Sequence, residues 1–255
     1  MPLELVTLPC LADNYAYLVH DPASGATAVV DVPEAAPILA ALSARGWGLT
    51  DIWLTHHHND HIDGVPALRS ATGAKVTGAA ADAHRLPPLD TALPDDGTFT
   101  FAGQTVETFP VPGHTIGHIA FHIPAAHLAF TGDSLMAAGC GRLFEGTPAQ
   151  MWASLSRLAA LPGETLICSG HEYTTGNLRF AQTLEPANPA LISRIERVAG
   201  LRRESLPSVP VPLSEECDTN PFLRAHLPGL KSAIGRPDAS DVETFAEIRA
   251  RKDRF

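Results

Sequence analysis

The chain of 255 residues has few cysteines, few basic residues and no long apolar run. Its four cysteines, Cys10, Cys140, Cys168 and Cys217, form no C-x-x-C pair. This argues against a disulfide framework or a thiolate zinc site, and favours reduced thiols in the cytoplasm. Lys and Arg number 18 against 28 Asp and Glu, a net charge of −10, so we expect neither nucleic acid nor an anionic membrane as a partner. No segment reaches transmembrane length.

Basic residues are also missing from the start of the chain, where none precedes Arg45. Residues 1–5 alternate in polarity instead of forming an apolar run. Neither secretory nor mitochondrial targeting is therefore predicted, in agreement with a cytoplasmic protein.

Charge and element type both change near residue 174. Residues 1–174 contain six Lys and Arg against 17 Asp and Glu, whereas residues 175–255 contain 12 against 11. The first part mixes short β-like runs with two helical stretches, and the second part is dominated by helical periodicity. We predict a mixed α and β domain at 1–174 and a helical domain at 175–255.

The predicted elements are separated by Gly, Pro, Asp and Asn. The β-like runs are 3–8, 15–19, 27–32, 51–54, 75–77, 104–109, 116–123, 128–130 and 166–168. The helices are 35–44, 148–161, 177–184, 189–203 and 241–252, with a further helix beginning near Gly64. The proline-rich piece 206–212 predicts an extended connector within the helical domain.

The most informative stretch is T-H-H-H-N-D-H at 55–61, which places four histidines and an aspartate in seven residues directly after apolar 52–54. Imidazole and carboxylate are ligands for zinc, iron and manganese. Side chains at 56, 58, 60 and 61 cannot all point the same way, so two ions suit this stretch better than one. A strand ending at Leu54 would place the stretch at the edge of a sheet.

Three further ligand candidates each follow a strand-like run and a glycine. They are His114 in P-G-H-T, Asp133 in T-G-D and His171 in S-G-H. Glycine at such positions lets the backbone turn sharply, so the next side chain can be aimed into a cleft. Two ions become possible if one carboxylate bridges them. The complete candidate set is His56, His58, Asp60, His61, His114, Asp133 and His171.

These motifs resemble the metallo-β-lactamase superfamily, through T-H-x-H-x-D-H, P-G-H-T, T-G-D and S-G-H-E-Y. Within it the chain resembles the glyoxalase II (hydroxyacylglutathione hydrolase) family. That narrower likeness rests on A-G-C-G-R-L-F-E-G at 138–146, G-H-E-Y-T at 170–174, T-N-P-F-L-R at 219–224 and the tail at 249–255. The resemblance implies an α+β fold, a four-layer αββα sandwich followed by an α-helical domain that binds substrate, and a monomer.

The resemblance also divides the ligands between two divalent ions, zinc first, with iron or manganese admissible. One ion takes His56, His58 and His114. The other takes Asp60, His61 and His171, and Asp133 bridges the two. Asp60 and Asp133 are then the catalytic side chains, acting with a hydroxide held between the metals. Among the other histidines, His118 is the one expected to orient a ligand.

The substrate that the resemblance implies is S-D-lactoylglutathione, hydrolysed to D-lactate and glutathione in the second step of methylglyoxal detoxification. Its leaving thiolate has a conjugate acid with a pKa of about 8.5, so its expulsion requires little or no protonation by a general acid. The positions that match the family's glutathione contacts are Arg142, Tyr173, Arg249 and Lys252. Arg249 and Lys252 share one helical face and match the binders of the glycine carboxylate. Phe144 stands where the family commonly has a tyrosine.

Several alternatives remain open from the sequence. A persulfide dioxygenase of the same superfamily would hold a single iron through His56, His114 and Asp133. Another acyl-glutathione thioesterase would share the whole site, and a non-catalytic metal or glutathione module would leave no open coordination position. The G-D-S-L of serine esterases occurs at 132–135, but no Asp-x-x-His pair supports Ser134. Cys140 has no assigned basic partner that would activate it.

Overall fold

The computed structural model describes residues 2–255, which divide into two compact units. Unit 1 is the chain up to Pro110 together with Gly117–Gly132, and unit 2 is Val111–Ile116 together with Asp133–Phe255. This division follows contacts between residues, whereas the sequence-based boundary at residue 174 follows composition. That boundary stays a prediction, and each unit is described by itself.

The first sheet of unit 1 has six strands that follow one another in chain order. They are β1 (Glu4–Cys10), β2 (Asn14–His20), β3 (Thr27–Val30), β4 (Asp51–Trp53), β5 (Lys75–Ala79) and β6 (Thr91–Leu93). β1, β2 and β3 are antiparallel neighbours, and β3 to β6 are parallel. Parallel neighbours need crossover connections, which are largely helical here. These helices are α1 (Ala35–Arg45), α2 (Asn59–Ile62) and α3 (Val65–Thr72).

Apolar spacing explains how these helices pack. Ile38 and Leu42 of α1 and Leu68 of α3 are buried in one cluster with Val29 of β3 and Ile52 of β4. Residues four apart lie on the same side of a helix, so this spacing gives α1 a single apolar face toward the sheet.

Unit 1 also contains an antiparallel meander of four strands, β7 (Thr98–Phe101), β8 (Gln104–Pro110), β9 (Ile119–Ile123) and β10 (Leu128–Gly132). Trp53, at the end of β4, is fully buried. Its ring lies 5.2 Å from those of Phe99 and Phe101 and 5.6 Å from that of Phe121. These aromatic contacts pack the end of β4 against the meander.

Unit 2 is mainly helical. Its helices are α4 (Pro148–Ala159), α5 (Thr174–Leu184), α6 (Pro189–Arg203), α7 (Leu213–Thr219), α8 (Pro228–Ala233) and α9 (Asp241–Asp253). Its strands form two short antiparallel pairs, β11 (Leu135–Met136) with β12 (Gly139–Cys140), and β13 (Leu166–Ser169) with β14 (Val211–Pro212). Thr147 and Ser240 form capping boxes at the starts of α4 and α9, and Asn188 caps α6.

The nine predicted β-like runs all coincide with strands, and the predicted helices are present, with α6 at the predicted residues. All the predicted β-like runs lie before residue 174, but the structure has one strand beyond that residue. β14 lies inside the extended piece 206–212, because an extended proline-containing segment can pair at one edge of a strand. Among the residues described, no helix combines the length and apolar character needed to cross a bilayer.

Candidate metal centre

The predicted ligands fall into two sets, four in unit 1 and three in unit 2. In unit 1 they lie directly after β4, and their donor atoms approach each other in pairs. Nε2 of His56 is 3.2 Å from Nδ1 of His58, and Nε2 of His61 is 3.8 Å from Oδ2 of Asp60. The rings of His56 and His61 are also close, with centroids 4.2 Å apart, so the division of the four side chains between two ions stays a prediction.

The two intervening positions of the ligand loop differ from the predicted ligands. His57 places its Nδ1 2.9 Å from Oδ2 of buried Asp82, which also accepts a hydrogen bond from Nε of Arg85 at 2.6 Å. Asn59 is exposed at the start of α2. The ring of His57 lies 5.0 Å from that of His58, but its Nδ1 is directed to Asp82.

A buried acid that no motif marked, Asp31, fixes the orientation of two of these histidines. Oδ2 of Asp31 is 2.8 Å from Nδ1 of His61 and accepts a hydrogen bond from the Thr55 hydroxyl at 2.8 Å. A carboxylate only accepts, so His61 carries its proton on Nδ1 and presents the Nε2 lone pair. Since the Thr55 hydroxyl donates to Asp31, its oxygen accepts from Nδ1 of His56 at 3.0 Å, which leaves Nε2 of His56 unprotonated as well.

His118 contributes packing at this position. Its ring stacks on that of His56, with centroids 4.6 Å apart and planes 12° apart, and its Nδ1 faces the carbonyl of Ile119 at 3.1 Å. The orienting role of His118 stays a prediction, whereas Asp31 and Thr55 provide the hydrogen bonds that select the tautomers of His61 and His56.

In unit 2, Asp133 lies between two histidines. Its Oδ2 is 3.4 Å from Nε2 of His114 and 3.3 Å from Nε2 of His171. Gly132, with φ of 47°, makes the left-handed turn that precedes Asp133. Nδ1 of His114 donates to the carbonyl of Arg142 at 2.8 Å, so its Nε2 is the nitrogen that faces the carboxylate. A single oxygen nearly equidistant from two imidazole nitrogens is the arrangement expected of a bridging carboxylate.

The donors in both units suit divalent metal ions. They are imidazole nitrogens and carboxylate oxygens, the set preferred by zinc and also used by iron and manganese. His56, His61 and His114 each have their distal nitrogen engaged by an oxygen of the protein, as metal-ligating histidines usually do. The residues therefore fit a divalent cation.

The two competing nucleophiles are unsuited to their roles. Ser134 is fully buried, and its hydroxyl faces the sulfur of Met151 at 3.9 Å. Burial raises the pKa of the Cys140 thiol to about 11, with Arg249 opposing the shift. A thiol with this pKa is protonated at neutral pH and is a weak nucleophile.

Positive charges gather in unit 2 at the residues predicted to bind glutathione. Lys252 is half-buried and donates to the carbonyl of Gly176 at 3.2 Å. Burial lowers the pKa of Lys252, and the neighbouring charges of Arg249, Arg142 and Arg179 lower it further. Sequence reasoning missed Arg179, because nothing in the pattern of α5 indicates that it faces the end of the chain.

Arg249 has more protein contacts than a simple substrate anchor. It is only 7% exposed. Nη1 donates to the carbonyl of Cys140 at 3.0 Å, Nε and Nη2 contact Oδ1 of Asp253 at 3.0 and 2.8 Å, and the guanidinium lies over the ring of Phe222. Among the other predicted contacts, Arg142 is exposed, Phe144 is 62% exposed, and Tyr173 is 42% exposed with its ring stacked on His171.

Comparison with known proteins bears on both parts of the chain. The family model "Metallo-beta-lactamase superfamily" matches residues 13–171, and "Hydroxyacylglutathione hydrolase C-terminus" matches residues 172–255. Proteins named hydroxyacylglutathione hydrolase from Fuscovulum blasticum and from Cereibacter sphaeroides strain ATCC 17025 are 66% and 65% identical, each over 100% of both chains.

A solved structure named ETHE1, from Myxococcus xanthus, superposes with a TM-score of 0.69 at 23% identity. The match covers 98% of this chain and 90% of that one, and shows a shared fold. The predicted α+β fold class, a metallo-β-lactamase fold with a helical C-terminal region, is thereby confirmed. The chain belongs to the metallo-β-lactamase superfamily and, within it, to the hydroxyacylglutathione hydrolase family.

Proposed function

We propose that this chain is a metal-dependent hydrolase that cleaves S-D-lactoylglutathione to D-lactate and glutathione, the second step of methylglyoxal detoxification. The observation that carries the proposal is the match to hydroxyacylglutathione hydrolases along the entire chain, helical C-terminal region included. The superfamily fold alone is compatible with many substrates, whereas this C-terminal region is named for one family.

The seven predicted ligands serve two divalent ions in this proposal, zinc first, with iron or manganese also admissible. All seven lie inside the superfamily match at 13–171. The pairing of His56 with His58 and of Asp60 with His61 supports the division between two ions. The position of Asp133 between His114 and His171 supports its bridging role.

Divalent ions held by these residues would supply a hydroxide nucleophile at neutral pH and would polarise the thioester carbonyl. Asp31 and Thr55 keep the coordinating nitrogens of His61 and His56 unprotonated. Oδ2 of Asp60 accepts from the Asn14 amide at 3.0 Å, and the carboxylate is partly exposed, so it can pass a proton from attacking water to solvent. The departing thiolate needs no protonation because its conjugate acid has a pKa of about 8.5.

The two carboxylates of glutathione are bound by the positive charges of unit 2. Burial and like-charged neighbours lower the pKa of Lys252, and an anionic ligand would relieve the repulsion among these charges. We assign the glycine carboxylate to Lys252 and Arg249, with Arg142 and Tyr173 as further contacts. Phe144 borders the same substrate, with its ring 5.2 Å from that of His114.

The deciding experiment measures metal content per chain, thioester hydrolysis and oxygen uptake on one preparation. We expect two metals, hydrolysis of S-D-lactoylglutathione, and no oxygen uptake with glutathione persulfide. One iron per chain with oxygen uptake would instead identify a persulfide dioxygenase. Activity that survives complete chelation would refute metal hydrolysis altogether, and Asp133→Asn is the matched inactive control.

We further propose a monomer in the cytoplasm. The four cysteines are free thiols, which suits a reducing compartment. Sedimentation at several concentrations tests the oligomeric state.

A further inference from the structure

We propose that Asn220 and Glu216 are positioning residues for the metal ligands Asp133 and His114, acting through the hairpin of β11 and β12. The inference rests on the proposed function as a metal hydrolase. It assigns to α7 and the residue that follows it a role in building the metal centre, beyond substrate binding.

Side chains from the C-terminal helices hold the backbone of this hairpin. Asn220 Nδ2 donates to the carbonyls of Gly139 at 2.9 Å and Met136 at 3.2 Å. Asn177 Nδ2 donates to the carbonyl of Ala137 at 3.0 Å. Three successive parts of the hairpin are therefore held by amide groups that are distant in sequence.

Glu216 holds the tip of the hairpin. Its Oε2 accepts from the backbone N–H of Ala138 at 2.9 Å and from Asn220 at 2.9 Å. Ala138 has φ of 55°, a left-handed conformation that is unfavourable for a residue with a Cβ. The contact with Glu216 thus stabilises a backbone conformation that alanine would otherwise avoid.

Burial strengthens these hydrogen bonds because it excludes competing water. Glu216 and Asn220 are both fully buried, and the charge of Glu216 is balanced by Arg194, whose guanidinium is also buried and hydrogen-bonded to it. Water cannot replace a lost partner easily in such a position, so the polar network favours one geometry.

The base of the hairpin adjoins two predicted ligands. The N–H of Gly141 donates to the carbonyl of Ser134 at 3.1 Å, which places Asp133 and Arg142 just outside the closed hairpin. The carbonyl of Arg142 accepts from Nδ1 of His114. A Cβ at Gly141 would lie 2.0 Å from the Asp133 carbonyl oxygen and 2.9 Å from Nδ1 of His114. The backbone at the base of the hairpin is therefore closely packed against both predicted ligands. A shift of the hairpin would therefore displace both Asp133 and the acceptor that orients His114.

The test compares Asn220→Ala and Asn177→Ala with Asn188→Ala. Asn188 caps α6 and donates to the carbonyl of Asp218 in α7, so its loss reports the effect of weakening α6 and α7 while the contacts from Asn220 and Asn177 to the hairpin are kept. We expect Asn220→Ala to release metal at a chelator concentration about tenfold or more below that of the wild type, the range found when residues that orient ligands are removed. Hydrogen exchange of a peptide covering 134–142 should also accelerate in the metal-free protein. Asn188→Ala should lower the melting temperature without either effect.

The inference is overturned if Asn220→Ala lowers the melting temperature as Asn188→Ala does while its chelator midpoint stays at the wild-type value. If Asn220→Ala does not fold, Asn177→Ala decides, with a smaller shift expected because it removes one carbonyl contact. A wild-type chain that binds no metal would overturn the proposed function and this inference together. If the wild type binds metal and the variants release it at the same chelator concentration as the wild type, this inference alone is overturned.

Discussion

A single carboxylate, Asp31, connects backbone conformation to ligand chemistry in unit 1. It stands at the end of β3 with φ of 57° and contacts both His61 and Thr55. The chain thus holds an acid in an uncommon conformation at the residue that selects the tautomers of two proposed ligands. Such a residue is expected to affect catalysis without touching substrate.

Asp31→Asn should lower metal affinity or kcat by about 10–100-fold and leave KM nearly unchanged. Asparagine adopts the left-handed conformation as readily as aspartate, so the backbone is preserved. An amide nitrogen in the place of Oδ2 would donate to Nδ1 of His61 and move the imidazole proton to the metal-facing nitrogen. Metal content after dialysis and steady-state kinetics measure both effects.

The control is Asp82→Asn, which alters the contact of His57, a residue not predicted to bind metal. An equal loss of metal affinity or kcat in both variants would contradict the specific role of Asp31.

Phe144→Tyr should lower KM several-fold for S-D-lactoylglutathione. The added hydroxyl restores one neutral hydrogen bond to the substrate, which contributes about 1 kcal/mol. The exposed position of the ring leaves room for the hydroxyl. Phe144→Leu, which adds no polar group, should not lower KM, and an unchanged or higher KM for the tyrosine variant would count against this placement of the substrate.

Because Lys252 loses its charge at alkaline pH, we expect KM for the substrate to rise there. Its pKa lies below the ordinary lysine value because of burial and neighbouring arginines. Below that pKa the ammonium is present, so KM is constant; above it the charge is lost and KM rises. Lys252→Met should raise KM at neutral pH by about tenfold or more, since a charge-assisted hydrogen bond is removed, and should abolish the alkaline rise. Lys231→Met, whose lysine pairs with Asp241, should keep the wild-type KM at neutral pH.

The ligand candidates were readable from the sequence because metal binding demands particular residue types at short spacing. His56 to His61 and the glycine-preceded His114, Asp133 and His171 have that property. Asp31 does not, because its partners lie 24 and 30 residues away and any acid in a strand looks alike in sequence. Arg179, Asn177 and Glu216 were missed for the same reason, since their roles depend on tertiary contacts.

At the scale of elements, long helices with regular apolar spacing were predicted well, and α6 matched at both ends. The shortest strands, in contrast, were not predicted. β11 and β12 have two residues each, too few for an alternating pattern to emerge. These two strands form the hairpin that we propose positions Asp133, so a poorly predictable element is important to the proposed site.

Gly200→Ala should stabilise the protein by about 0.5–1 kcal/mol. Glycine in a helix interior carries an entropic penalty relative to alanine, and Gly200 lies inside α6. A Cβ there would approach only the guanidinium of Arg203, at 3.8 Å. Urea denaturation measures the change. Gly73→Ala is the opposite control and should destabilise, because Gly73 ends α3 with φ of 72°.

At the scale of the whole molecule, metal binding should contribute directly to stability. A ligand that binds only the folded state stabilises it by about 2.7 kcal/mol at 100 times its dissociation constant. Chelation should therefore lower the melting temperature by roughly 5–10 °C, and added zinc should restore it. Asp133→Asn should respond much less to chelator. A melting temperature of the wild type that is insensitive to both treatments would contradict the proposed centre.

The contacts of the β11–β12 hairpin bear on recombination between relatives. The two family matches meet between residues 171 and 172, which makes that point an attractive crossover for chimaeric enzymes. Yet Asn177, Asn220 and Arg249 hold carbonyls at positions 136–140. A graft of residues 172–255 alone would join them to a hairpin from another parent. We therefore expect that residues 133–142 have to be transferred together with the C-terminal region if a recombinant is to keep its proposed metal ligands in place.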